Sequence, residues 1–258
     1  MLEERTVYKN IDYTNMTVGI ASSLAIIAFA AGIHACFQLS VSVLTLLSGH
    51  SLGRKTAHRK VLRLMNGFIT GVVVLTALLL SSLAYFLTLK IQFSAATEQL
   101  VAAIACGLMA GLGVATWAFY SRRGAGTALW LPRGFARYLT SRTKQTKNSA
   151  EAFGLGMTSV IAELLFIIGP MLAAALATVT LPSVWWQLAS LLLYVIIATL
   201  PLLVVFVMVG GGHKITKVQA WREKHKRFIQ FVAGGSLIIL AAYIFVDRLL
   251  GISLYGGF

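Results

Sequence analysis

The sequence predicts an all-α integral membrane protein of six transmembrane helices, built as two inverted three-helix repeats with both termini outside. Three observations carry this expectation. First, the chain of 258 residues is 58% apolar and only 12% charged, whereas soluble domains run near 45–50% apolar and about 25% charged. Second, its apolar residues fall into six long runs, and about 20 residues suffice for a helix to cross a bilayer. Third, the basic residues behind the net charge of +14 cluster in the connections after runs one, three and five. The positive-inside rule puts those connections in the cytoplasm.

Taken in order, Met1 to Asn15 is polar and mixed in charge, without the basic start and short apolar core of a signal peptide. Run one, Met16 to Leu47, is longer than a single crossing needs. The excess implies tilt or a break, expected at Gly32 and the polar residues after it. A basic connection (Arg54, Lys55, His58, Arg59, Lys60, Arg63) leads to span two, Leu64 to Leu89. Span three, Gln99 to Tyr120, carries Gly107, Gly111 and Gly113, which suit close helix packing. The loop 121–149 is basic, and its alternating aromatic and arginine residues read as a short helix in the headgroup layer. Span four runs from Ala150 to Thr178. Pro182, Trp185 and Trp186 mark an interface before span five, Leu188 to Val209, which contains Pro201. A last basic block precedes span six, which ends near Leu250.

The chain 1–258 thus reads as one membrane domain: repeat one over 16–120, the cytoplasmic loop over 121–149, and repeat two over 150–250. Three spans per half is an odd number, so the second half enters the membrane in the opposite direction. Phe29-Ala-Ala-Gly32 in span one and Phe153-Gly-Leu-Gly156 in span four are matching segments. Together they point to repeats related by an axis in the membrane plane, with the working site where the repeats meet.

Polar groups inside these runs are functional-site candidates, because hydrocarbon offers them no hydrogen-bond partner. His34, Gln38 and Ser40 follow Gly32 in span one. Thr158, Ser159 and Glu163 follow Gly156 in span four. Together they form the candidate solute or ion site, with Gly32, Gly156 and Pro170 permitting irregular backbone beside it. His34, Cys36 and Glu163 are the candidate metal ligands, since imidazole, thiolate and carboxylate all ligate. Cys36 and Cys106, both within apolar runs, are the candidate redox pair.

This pattern resembles the membrane domain of the DsbD/CcdA family and, more widely, the LysE-like transporter superfamily. Phe153-Gly-Leu-Gly-Met-Thr-Ser-Val-Ile is similar to that family's Phe-Ala-Leu-Gly-Trp-Thr-Pro-Cys-Ile. The resemblance implies six spans, termini outside, and first helices of each repeat that carry the motif. Ser159 and Val160 stand where the family has Pro-Cys, and its other cysteine would fall near Ser40. A dithiol relay needs two thiols that can meet, so the scaffold is carried over and the electron chemistry is not.

Function is expected to be secondary transport or export of a small solute or ion between spans one and four. The alternatives are a thiol–disulfide electron carrier using Cys36 and Cys106, and an accessory membrane subunit docking through its basic loops. No Ser-His-Asp, HExxH, Walker or CxxC arrangement points to an enzyme, and no cofactor is expected. The expected partners are the bilayer of the plasma (inner) membrane, anionic lipids at the basic loops, and the solute. Nucleic acid is not among them, because no recognition signature accompanies the charge. Small residues in spans three and four permit a homodimer.

Overall fold

Residues 2–38, 40–49, 55–91, 95–120, 133–211 and 215–251 are described by a computed structural model, and the regular elements among them are all helical. The chain forms α1 (Leu2–Cys36), α2 (Ser40–Gly49), α3 (Lys55–Ile91), α4 (Ala95–Ala115), α5 (Arg133–Gln145), α6 (Ser149–Val179), α7 (Val184–Gly210) and α8 (Ile215–Ile244). Wider π-helical turns extend α4 over Thr116–Tyr120 and α8 over Phe245–Leu250. Among the described residues, six helices are long and apolar enough to cross a membrane: Met16–Cys36, His58–Lys90, Ala96–Ala118, Ser149–Val179, Val184–Gly210 and Arg227–Leu250.

The most enclosed span is α6. It starts at a reciprocal cap: Asn148 Oδ1 accepts from the Glu151 backbone N–H at 2.8 Å, and the Glu151 carboxylate accepts from the Lys147 N–H at 2.7 Å. Both satisfy donors that a helix start leaves open, and the carboxylate sits at the positive end of the helix dipole. From there α6 runs unbroken through Gly156 and Pro170. The expected irregularity at these two residues is therefore absent. Proline removes one backbone donor, but the packing around buried Pro170 keeps the helix continuous.

Gly156 serves a different purpose. A methyl group on it would overlap the Phe68 carbonyl oxygen of α3, and one on Gly71 would overlap the Phe153 carbonyl oxygen. One on Gly67 would sit 2.6 Å from the Ser149 carbonyl oxygen. Gly67, Gly71 and Gly156 thus let the backbones of α3 and α6 touch, the small-residue mode of packing in lipid. On α4, only Gly113 fulfils the expected packing role, lying against Gly234 of α8, while Gly107 and Gly111 have open space around them.

Run one breaks, but not at Gly32. Gly32 is an ordinary helical residue with nothing near its missing side chain. The helix ends at Cys36, where the Phe37 N–H is shared between the carbonyls of Ile33 (3.3 Å) and His34 (3.0 Å). That tightening is typical of a last turn. Gly32→Ala is therefore expected to be neutral or to stabilise by up to about 1 kcal/mol, the ordinary helix preference for alanine. Thermal unfolding in detergent checks it, and a large loss would return the hinge to Gly32.

Contacts fix the direction of each span. Ser23 meets Thr180 and His34 meets Glu163, so α1 and α6 are antiparallel. His34 with Tyr194 and Gln38 with Ala198 make α1 and α7 parallel. The glycine seam makes α3 parallel to α6. Arg248 reaches both Glu98 and Thr180, so α8 ends beside the end of α6 and the start of α4. Successive spans alternate in direction. The starts of α3 and α6 and the end of α7 gather at one end of the bundle, where Ser149 Oγ bonds the Arg63 carbonyl at 3.4 Å and Leu62 packs by Gly210. At this end α5 packs on α2 and α6, with Leu139 buried and Arg142 and Lys144 exposed. Tyr138 is exposed there, with the Arg142 guanidinium over its ring, while Trp130 lies outside the described residues.

Candidate functional site

The break in α1 occurs where α1, α6 and α7 meet. Ending the helix at Cys36 leaves His34 in its last turn and Gln38 just beyond it. Both side chains face α7, one helical turn apart. His34 Nδ1 lies 3.0 Å from the Tyr194 hydroxyl, and Gln38 Nε2 donates to the Ala198 carbonyl. Pro201 follows within a turn on α7. Lacking an N–H, it leaves the Ile197 carbonyl without its usual helical donor, in the same stretch of backbone that Gln38 braces.

Glu163, at the centre of α6, approaches from the other side. Its Oε2 lies 3.9 Å from His34 Nε2. Among the described residues His34 is 0% exposed, Glu163 1%, Tyr194 0% and Gln38 3%. They are closed off from bulk solvent, so hydrogen bonds and charges here act at low effective dielectric. The separation of 3.9 Å admits an ion pair but is longer than a formed hydrogen bond. His34 Nε2 and Gln38 Oε1 have no hydrogen-bond partner among the described residues.

The chemistry follows from the imidazole inventory. A neutral imidazole has one donor and one acceptor nitrogen, an imidazolium two donors. Two arrangements of the same proton leave the pair uncharged overall: neutral His34 facing a protonated Glu163, or His34 imidazolium facing the Glu163 carboxylate. Moving the proton across the gap costs no net buried charge, whereas removing it from the pair does. Because Nε2 must be the bare nitrogen that can take the Glu163 proton, Nδ1 carries the ring's other hydrogen in both arrangements and donates it to the Tyr194 hydroxyl oxygen.

Of the residues expected at the site, His34, Gln38 and Glu163 are brought together. Ser159 is buried one turn from Glu163 on the same helix face and bonds the Gly156 carbonyl at 2.7 Å. Thr158, adjacent in sequence, turns about 100° away and donates to the Gly154 carbonyl at 2.8 Å. The side chain of Ser40 lies outside the described residues. The three candidate metal ligands do not converge: Cys36 is exposed on the far side of α1, and no group of three His, Cys, Asp or Glu residues is placed to hold a metal among the described residues. Cys106 Sγ donates to the Ala241 carbonyl at 3.3 Å, and both cysteines are free thiols.

Tyr194 is the residue that sequence reasoning missed. The available signal was position: tyrosine favours the membrane–water interface, yet Tyr194 lies well inside span five, where its hydroxyl needs a partner. Comparison with protein-family models, curated proteins and solved structures returned no match, so the functional reading rests on the geometry of the site itself.

Proposed function

We propose that the protein is a proton-coupled secondary transporter of a small solute or ion, with its site between spans one and four in the plasma membrane. The observation that carries this reading is the His34–Glu163 pair, sealed at the centre of the bundle beside the break in α1. Ionisable groups inside a membrane domain are costly and mark ion or proton paths. Proton movement at Glu163 or His34 is the coupling step, and the two halves rock about the site to alternate its access.

The neighbour map supports two inverted repeats. Exchanging spans one, two and three for four, five and six turns α1 against α7 into α6 against α3, and α1 against α8 into α6 against α4. All four pairs pack. The exchange also keeps the pairings α1 with α6, α3 with α7, and α4 with α8, and these pack as well. Such helix-for-helix equivalence is what a two-fold axis in the membrane plane produces. The gathering of the basic connections at one end supports a cytoplasmic assignment for that end and termini outside. There α5 suits contact with anionic lipid headgroups. The electron-carrier alternative gains no such support, since the Cys106 thiol is engaged with Ala241.

The test is proton movement in proteoliposomes loaded with a pH-sensitive dye. After a pH step, a panel of amines, amino acids and divalent metals is added outside. At least one solute class is expected to drive proton flux at least tenfold above protein-free vesicles, and Glu163→Gln to remove that excess. Solute-driven flux that persists in Glu163→Gln overturns the site, and no solute-driven flux overturns the reading.

A further inference from the structure

At the end of the bundle opposite the basic connections, α1, the α6–α7 turn and the π-helical end of α8 enclose a groove of about 780 Å³. This is within the usual range of small-molecule sites, about 300–1,000 Å³. Its apolar wall is Met16, Ile20, Ile26, Pro182 and Val246, and its polar wall is Ser22, Ser23, Thr180, Asp247 and Arg248. The last two lie in the π-helical segment Phe245–Leu250. Such insertions are rare and concentrate at functional sites.

The serine, threonine and most arginine donors of the polar wall are already engaged. The Ser22 hydroxyl donates to the Gly19 carbonyl at 3.0 Å, and the Thr180 hydroxyl to the Ala177 carbonyl at 2.9 Å. With the Thr180 proton engaged, Ser23 is the donor of the 3.3 Å bond between their hydroxyls. Three of the five Arg248 N–H donors are occupied: one on Nη1 by Glu98 at 3.0 Å, one on Nη2 by Thr180 at 3.3 Å and that of Nε by Asp247 Oδ2 at 2.9 Å. Beside the two remaining Arg248 N–H, the wall offers acceptors: the hydroxyl oxygens of Ser22 and Ser23, and Asp247 Oδ1, which has no partner among the described residues. Two carboxylates surround one guanidinium, so the local charge is negative, and Asp247 remains 42% exposed.

A site with an apolar wall, open acceptors and a net negative charge selects a donor that carries positive charge on an apolar body. An anion would meet the Asp247 carboxylate beside a guanidinium whose charge Glu98 and Asp247 already compensate. We propose that this groove binds small amphipathic primary ammonium compounds, recognised by Asp247 and the Ser22 and Ser23 hydroxyls. That it is the outer vestibule for the transported solute rests on the transport reading above; the binding itself does not. The same chemistry comes from a free alkylamine or from the ethanolamine headgroup of a phospholipid.

The test is the apparent melting temperature of the full-length protein in detergent. A ligand of the folded state raises it. Hexylammonium is expected to raise it by about 2–4 °C, with hexanoate and hexanol leaving it unchanged. Two variants are expected to lose the shift. Asp247→Asn removes the charge at an exposed position. Gly19→Leu fills the groove, because nothing lies near the missing side chain of Gly19. A shift with hexanoate equal to that with hexylammonium, or one that survives both substitutions, overturns the proposal. Dihexanoylphosphatidylethanolamine is run against its choline counterpart, which lacks N–H donors. An Asp247-dependent shift with the ethanolamine lipid assigns the groove to headgroups, and its restriction to hexylammonium assigns it to free amines. Retained binding with no proton flux overturns the transport reading alone, and flux without binding overturns the groove alone.

Discussion

Gly71→Leu is expected to remove the protein from the folded, monodisperse fraction. A single methyl group at this position already overlaps the Phe153 carbonyl oxygen, and that oxygen belongs to the backbone of the most enclosed span. A flexible side chain could swing aside at a cost of about 1–3 kcal/mol, the usual range for an overpacked core. A helix backbone cannot, so α3 and α6 must separate along the seam that Gly67 and Gly156 also hold. Folded domains are stable by only about 5–15 kcal/mol, and opening the largest helix interface consumes much of that. Gly71→Ala is expected to fold with a lowered melting temperature, by the same overlap on a smaller scale. Gly107→Leu is the control, since the space there is open. Size-exclusion profiles and thermal unfolding in detergent read all three, and a Gly71→Leu protein that elutes and melts like the parent would refute the seam.

The contrast between Gly71 and Gly107 also marks how far the sequence could be read. Hydropathy runs and basic connections report the free energy of each segment in lipid or water, and that is enough to place six spans in order. The meeting of spans one and four at His34 and Glu163 was likewise legible, because a polar group in an apolar run must find a partner and few are available. What hydropathy does not carry is which face of a helix looks inward. Gly107 and Gly111 are as small as Gly71, but they face away from neighbours, so their smallness has no structural use. Thr158 and Ser159 are adjacent and equally polar, yet the helical turn puts only one of them on Glu163's face. The hinge fell at Cys36 rather than Gly32 for a related reason. Glycine permits a break but does not require one, and the helix runs on past Gly32 to Cys36, with His34 held on α7.

A double-mutant cycle on His34 and Glu163 is expected to give a coupling of about 6 kcal/mol or more, two single losses of about 3–5 kcal/mol set against a near-neutral double variant, above the about 0.5–3 kcal/mol usual for residues in contact. His34→Leu removes the imidazole facing the Glu163 carboxyl and releases Tyr194, and Glu163→Leu removes the carboxyl facing His34 Nε2. Taking away one member of a buried ionic pair costs about 3–5 kcal/mol, because the other loses the opposite charge that compensates its burial. Replacing both by leucine strands neither of the pair, and such replacements are often neutral or stabilising. The double variant should therefore melt well above the sum of the single losses, near the parent protein. It should also carry no solute-driven proton flux. Additive losses would mean that the two side chains do not act as a unit, and the proton-carrier reading would lose its basis. Recovery of stability without recovery of flux would separate the two roles cleanly: a leucine pair serves the fold at least as well, so the buried His34 and Glu163 are explained by proton movement and not by packing.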